Sequence, residues 1–108
     1  MVRAIEKKAG PKAAGVVTVT SGPSYTVLTT DKTVLVDDDE AGVAVTVLLP
    51  AAADSNNREL RVKKLGSTAA VTVDGNGAET IDDATTQSIA SQYDAMHIQC
   101  DGTGWWIL

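Results

Sequence analysis

The stretch Leu60-Arg61-Val62-Lys63 places an apolar residue at every second position and a basic residue between each pair. Successive side chains of a β-strand point to opposite faces of the sheet, so this pattern predicts a strand with one buried face and one wet face. The stretch Met96-His97-Ile98-Gln99-Cys100 repeats the alternation and predicts a second strand of the same kind. These two runs predict an all-β fold class.

Short runs of the same character fill most of the remaining chain. Val and Thr each occur thirteen times and Phe is absent, and β-branched side chains favour strands over helices. Turn-forming residues separate the runs. The candidate strands are residues 16–20, 25–30, 33–36, 43–49, 60–65, 69–73, 79–81, 96–100 and 105–108, with helical pieces of a single turn at 50–54 and 86–91. About nine strands at spacings near ten residues predict an antiparallel β-sandwich or jelly-roll-like domain.

The first residues differ chemically from the rest of the chain. Residues 1–12 contain Arg3, Lys7, Lys8 and Lys12 against one acid. The remaining residues carry five basic and thirteen acidic side chains, a net charge of −8. Because Gly10-Pro11 interrupts regular structure, the sequence predicts an N-terminal arm over residues 1–15 and one folded domain over residues 16–108. The arm either grips a partner or is a solvated chain end.

The sequence offers little material for catalysis. His97 is the single histidine and is expected on the wet face of its strand. A lone histidine without a positioned nucleophile and acid makes no catalytic triad. Cys100 shares an apolar face with Met96 and Ile98, so it is expected to be an inert core thiol. The protein is therefore expected not to be an enzyme, with a small enzyme built around His97 as a minor alternative.

Metal, cofactor and nucleic-acid binding are also disfavoured. Two acidic runs, residues 37–40 and 74–79, are considered as calcium sites, and the second fails as a calcium loop because Ala78 stands where an oxygen ligand is needed. They are expected to be solvated turns with repelling charges. One cysteine completes neither a disulfide nor a zinc set, no GK[ST] phosphate motif occurs, and the acidic body repels a phosphate backbone. The basic group is expected on a solvated or inter-subunit face: Arg58, Arg61, Lys63 and Lys64.

Membrane association is not expected either. The sequence has no run of roughly 18 to 20 apolar residues of the kind that spans a bilayer. No apolar block follows the basic N-terminal residues, so synthesis without a signal peptide is expected.

The sequence ends with Trp105-Trp106-Ile107-Leu108. Neighbouring strand residues face opposite ways, so one tryptophan should enter the core while the other presents about 150–250 Å² of ring outward. A core without phenylalanine buries little area, and small folds in that position often depend on partner subunits. These four residues are therefore the predicted subunit interface, with a loop of the same chain as the alternative cover.

A series of short motifs runs through residues 25–108. They are Tyr25-Thr26-Val27 before the acidic turn, Leu49-Pro50 with the Ala run after it, Asn57-Arg58, the strands at 60–64 and 71–73, Asp74-Gly75, Glu79-Thr80-Ile81-Asp82, and Asp101-Gly102-Thr103-Gly104-Trp105-Trp106-Ile107. Their shared order resembles a β-rich module of structural proteins in tailed bacteriophages, such as fibre, spike and head-decoration proteins.

The resemblance implies a non-enzymatic virion component, commonly a homotrimer in which three sandwiches pack around an axis. Because nothing long precedes the module, a capsid decoration, cement or head-spike protein is favoured, located on the capsid surface rather than the tail after synthesis in the host cytoplasm. The expected partners are further copies of the chain and the major capsid protein or another virion protein. The alternative is a tail-fibre or receptor-binding module that contacts a host glycan or protein through loops such as residues 37–42.

Overall fold

The computed structural model describes residues 15–108, in which nine strands and two short helical turns make an all-β fold. The strands are β1 (Val16–Val19), β2 (Ser24–Thr26), β3 (Thr33–Val36), β4 (Val45–Leu48), β5 (Glu59–Lys64), β6 (Val71–Asp74), β7 (Thr86–Ile89), β8 (Ala95–Cys100) and β9 (Trp105–Ile107). The helical turns are α1 (Asp38–Ala41) and a 3-10 turn (Ala52–Asp54).

The strands form two mixed sheets. The five-stranded sheet has the order β1-β3-β5-β8-β9, and the four-stranded sheet has the order β2-β4-β6-β7. The first six strands therefore alternate between the sheets. Neighbours among those six are parallel, as where Thr33 lies beside Arg61 in β3 and β5. The pairs β6–β7, β5–β8 and β8–β9 are antiparallel.

The prediction of an antiparallel fold is wrong for the first six strands. A chain that crosses to the other sheet after each strand comes back in its original direction, so its next strand in the first sheet pairs in parallel. Hydrophobic alternation specifies which face of a strand is buried, but it does not specify the neighbouring strand.

Two local predictions also need correction, and one is confirmed. Residues 86–91 were expected to be helical, but β7 lies there and pairs Ser88 with Thr72 of β6. Residues 79–81 form no strand, and Ile81 makes only isolated bridges to Ala84 and Trp105. The helical turn expected within residues 50–54 is present as the 3-10 turn.

One buried apolar cluster contains residues of both sheets. The five-stranded sheet contributes alternate residues of β3, β5 and β8, and the four-stranded sheet contributes alternate residues of β4 and β6. The cluster consists of Val19, Val27, Val34, Val36, Val45, Val47, Leu49, Ala52, Leu60, Val62, Val71, Val73, Ile81, Ile89, Met96, Ile98, Cys100 and Trp105. Within residues 15–108, no helix has the length and apolar character to cross a bilayer.

Candidate interaction surface

The C-terminal strand β9 carries the predicted subunit interface. It lies at the edge of the five-stranded sheet, where Trp106 stands opposite Gln99 of β8. Trp105 is completely buried in the core, whereas Trp106 is 44% exposed. One tryptophan therefore enters the core and the other faces outward, as the alternation predicted.

The exposed residues continue beyond this tryptophan. Ile107 and Leu108 are 37% and 66% exposed, and together with Trp106 they are called the terminal strip below. Ile107 stands opposite the buried Ile98 of β8, so it faces the other side of the sheet from Trp106, and the three residues share the edge of the sheet rather than one face. Exposed apolar side chains grouped at one edge of a sheet are a candidate interaction site. Their assignment to a subunit interface stays a prediction.

A tight turn before β9 holds the outward tryptophan in place. Asp101 Oδ1 accepts hydrogen bonds from the backbone N–H groups of Thr103 and Gly104, at 2.8 and 2.9 Å. Its Oδ2 accepts one from Trp106 Nε1 at 2.9 Å. The bond from Trp106, followed by those from the backbone, lowers the pKa of Asp101 to about 2. The ring is thus positioned by its own chain, which reduces the entropy lost when a partner covers it.

The outer edge of β9 is already occupied by backbone from residues 80–82. Trp105 N donates to Thr80 O at 2.9 Å, and Asp82 N donates to Trp105 O at 3.0 Å. Asp82 Oδ1 also accepts a hydrogen bond from Ile107 N at 2.9 Å. Because these groups are paired, a partner would contact β9 through its side chains rather than by adding a strand.

The outer face of the five-stranded sheet beside the terminal strip is charged. His97 lies opposite Arg61 of β5, on the wet face where the sequence placed it. Its Nε2 lies 2.6 Å from Glu59 Oε1. Lys63 Nζ donates to the carbonyl of Tyr93 at 2.9 Å. Exposed pairs of this kind stabilise a fold only slightly.

The basic group predicted on one surface is divided between the surface and the core. Lys64 is 1% exposed, and its Nζ lies 2.8 Å from Oδ2 of Asp38, which is itself fully buried. Lys64 Nζ also donates to Gly66 O at 2.6 Å. The prediction of a solvated or inter-subunit position is therefore wrong for Lys64, because this residue takes the same inward face of β5 as Leu60 and Val62.

A loop wraps around the buried aspartate. Asp38 accepts hydrogen bonds from the backbone N–H groups of Gly66, Thr68 and Ala69, at 2.8 to 3.0 Å. Burial by itself raises the pKa of Asp38, but the hydrogen bonds from Lys64 and the backbone outweigh it and hold the pKa well below its ordinary value. A Cβ atom at Gly66 would lie 2.7 Å from Asp38 Oδ1, so the loop closes this tightly only around a glycine.

The rest of the acidic run also bonds within the fold. Asp37 Oδ1 caps α1 by accepting from Glu40 N at 3.0 Å. Asp39 accepts from Ser67 N at 3.0 Å and from the hydroxyl of Thr68. The expectation of a solvated turn is therefore wrong for Asp38, whereas Asp39 is exposed and bonds to the neighbouring loop from the surface.

A second polar network closes the loop between β2 and β3. Asp31 is 1% exposed, and its Oδ2 accepts hydrogen bonds from Tyr25 Oη at 2.5 Å and from Leu28 N at 2.9 Å. Burial, followed by the bond to Asp31, raises the pKa of Tyr25. Arg58 Nη2 donates to the carbonyls of Leu28 and Asp31 at 2.6 and 2.7 Å. Arg58 thus joins this loop to the start of β5.

A cleft of about 470 Å³ lies beside this network. Its walls come from residues 29–32 and 57–61, and they include the basic side chains of Lys32, Arg58 and Arg61. The sequence did not predict this cleft. Arg58 and Arg61 were predicted in a basic group on one surface, but the approach of Lys32 to them depends on the parallel pairing of β3 with β5.

Other residues considered in the sequence do not assemble into a reactive site. Cys100 lies in the core, where burial raises the pKa of its thiol, and its Sγ lies 3.4 Å from Ala52 O. In the described part of the chain, no group of three or more His, Cys, Asp or Glu side chains is arranged to hold a metal ion. The predicted capsid-contact residues lie outside the described residues: Arg3, Lys7, Lys8 and Lys12.

Comparison with known proteins adds no family assignment. Neither a scan against protein-family models nor a search of curated proteins found a match to this chain. The resemblance to phage virion modules therefore stays a prediction from the order of motifs in the sequence.

Proposed function

We propose that this protein is a non-enzymatic structural protein of a tailed-bacteriophage virion, namely a homotrimeric capsid decoration, cement or head-spike protein. Its N-terminal arm, residues 1–15, contacts the major capsid protein or another virion protein through Arg3, Lys7, Lys8 and Lys12. It takes no cofactor and acts at the capsid surface.

The terminal strip is the observation that carries the proposal. Trp106, Ile107 and Leu108 present apolar side chains at one edge of the five-stranded sheet. The indole of Trp106 is held by Asp101, so it offers a fixed aromatic surface of the kind that anchors protein interfaces. Contact between terminal strips of neighbouring subunits would cover this surface in a trimer.

A β-sandwich architecture is part of the proposal. Residues from both sheets meet in one buried cluster, which supports face-to-face packing of the sheets. The parallel pairs among β1 to β6 depart from the antiparallel Greek keys of a jelly roll. We therefore favour the sandwich over the jelly roll.

The first test is the molar mass of the purified full chain, measured by size-exclusion chromatography with light scattering across a dilution series. A stable mass near three times the 11.2 kDa of one chain is expected. A well-folded monomer at all concentrations would contradict the trimer.

The second test addresses attachment to the capsid. Replacement of Arg3, Lys7, Lys8 and Lys12 by glutamine removes the positive charge of the arm in a full-length chain. Cosedimentation with phage capsids should be lost while the molar mass stays that of the trimer. Retained cosedimentation would exclude the arm as the attachment segment.

The receptor-binding alternative named the loop at residues 37–42 as one example of a contact with a host receptor. Asp38 is buried, and Asp37 and Asp39 bond within the fold. The loop therefore offers a receptor fewer free carboxylates than its sequence suggests, although Asp39 and Glu40 are exposed. We favour the decoration protein because of the terminal strip.

A further inference from the structure

The cations of the folded body are concentrated at the cleft between residues 29–32 and 57–61. Residues 15–108 contain five lysine and arginine side chains, of which Lys64 is buried. Three of the other four line this one cleft: Lys32, Arg58 and Arg61. An otherwise acidic body therefore presents one basic recess.

The acidic groups of the cleft are engaged elsewhere. The carboxylate of Asp31 is turned into the loop toward Tyr25 and Leu28, and Glu59 pairs with His97. Among residues 15–108, neither Lys32 nor Arg61 forms an ion pair. Both side chains are exposed, so their charges are available to a ligand.

The cleft lies close to Gly15, the first residue that the structure describes. Gly15 O accepts hydrogen bonds from the backbone N–H groups of Lys32 and Thr33, at 2.6 and 2.8 Å. In the sequence, only Ala13 and Ala14 separate Gly15 from Lys12, the last basic residue of the arm. A partner bound through Lys12 would therefore be within reach of the cleft.

We propose that this cleft is a second contact with the protein that the arm binds, and that its ligand is an acidic peptide segment of that protein. The inference rests on the proposed function for the identity of the partner. Thr29 and Asn57 supply hydrogen-bonding groups beside Lys32 and Arg61, a combination suited to a carboxylate and its adjoining peptide backbone.

An acidic peptide fits the cleft better than a nucleic acid does. Single-stranded nucleic acids are held by aromatic side chains on which the bases stack. The described lining of the cleft contains no aromatic residue on which a base could stack.

The test is a titration of the full-length protein into a fluorescently labelled peptide of ten residues with alternating aspartate and glycine, followed by anisotropy. Binding at about 50 mM salt that weakens strongly at about 300 mM is expected for a contact between charges. The double variant Lys32→Ala, Arg61→Ala should bind at least about tenfold more weakly. Lys63→Ala, which removes a cation outside the cleft on the same strand, should bind within about twofold of the parent.

Three outcomes would overturn the inference. They are failure of the parent to bind the peptide, an equal loss in Lys63→Ala, and tighter binding of an oligothymidylate of the same length than of the peptide. A protein whose capsid attachment depends on the arm charges, but which does not bind the peptide, would keep the proposed function and lose this inference. A monomeric protein that binds the peptide through Lys32 and Arg61 would keep the cleft and lose the trimer.

Discussion

Lys64 is a charged residue at a strand position that faces the core. Its positive charge is compensated by the fully buried Asp38 and by the Gly66 carbonyl. Asp38 in turn accepts hydrogen bonds from three backbone N–H groups. A buried ion pair of this kind contributes little net stability compared with apolar residues, but removal of one partner leaves the other charge uncompensated.

Substitution of either partner should therefore destabilise the fold strongly. Lys64→Met and Asp38→Asn are each expected to lower the free energy of unfolding by about 3–5 kcal/mol. The double variant should lose less than the sum, because no lone charge remains. Urea unfolding followed by tryptophan fluorescence measures all three.

Lys63→Met is the matched control on the same strand, with its side chain at the surface. It should change the free energy of unfolding by only about 0.5 kcal/mol. Equal effects of Lys63→Met and Lys64→Met would contradict the importance of the buried pair.

Acid should destabilise the protein through Asp38 and Asp101. Both carboxyls have a pKa below the value of 3.8 for an unperturbed aspartate, and that of Asp101 is about 2. The unfolded chain therefore takes up protons first as the pH falls, so the stability from these groups is complete well above pH 3.8 and declines below it. Unfolding measured at about pH 6 and pH 3 should show this decline, and Asp101→Asn should show a smaller one. Equal free energies of unfolding at both pH values would contradict a contribution of these two carboxylates to stability.

At the scale of elements, α1 and β9 are each bound by hydrogen bonds to a neighbouring segment of the chain. The loop at residues 66–69 closes over α1 with backbone N–H groups, and residues 80–82 close the outer edge of β9. In both places an Asp side chain completes the contact, Asp38 in the first and Asp82 in the second. The side chains of the terminal strip are left as the accessible part of β9.

Loss of the outward tryptophan should weaken self-association. Trp106→Gln removes the largest apolar side chain of the terminal strip. The protein concentration below which the assembly dissociates is therefore expected to rise at least about tenfold over the parent. Tyr93→Gln removes another exposed aromatic residue, from the loop between β7 and β8, and should leave association unchanged. Light scattering at several dilutions distinguishes the two. A parent-like mass for Trp106→Gln at every dilution would exclude the terminal strip as the interface.

The alternation of apolar and polar residues predicted correctly which face of a strand is buried, but it did not predict which strands lie side by side. The apolar residues Leu60 and Val62 predicted the inward face of β5 correctly. Lys64, two positions after Val62, lies on the same face. The partner Asp38 could not be inferred, because the contact spans the chain and depends on how β5 and α1 are placed. The cleft was missed for the same reason, since Lys32 and Arg61 approach each other through a parallel pair.

At the scale of the molecule, valine dominates the core. Among the described residues, nine of the eighteen in the apolar cluster are valine, and Trp105 is the only aromatic one. Small side chains bury less area than aromatic ones, so one chain alone gains modest hydrophobic stabilisation.

Stability should therefore depend on protein concentration. If subunits associate in the folded state only, mass action raises the thermal midpoint as the concentration rises. Circular dichroism melts over a hundredfold range of concentration should show a steady increase in the midpoint. A constant midpoint would indicate that a single chain is stable by itself.

The alternation of the first six strands between two sheets also determines how this chain can fold. No two consecutive strands among β1 to β6 pair with each other, so no local hairpin forms a nucleus in that half of the protein. The central strand β5 joins β3 on one side and β8 on the other, and β8 is among the last strands to be synthesised. Loops must close before these contacts stabilise the chain, and proteins dominated by distant pairings fold in about milliseconds to seconds. A ribosome-bound chain therefore completes the five-stranded sheet only after residues 95–107 have emerged.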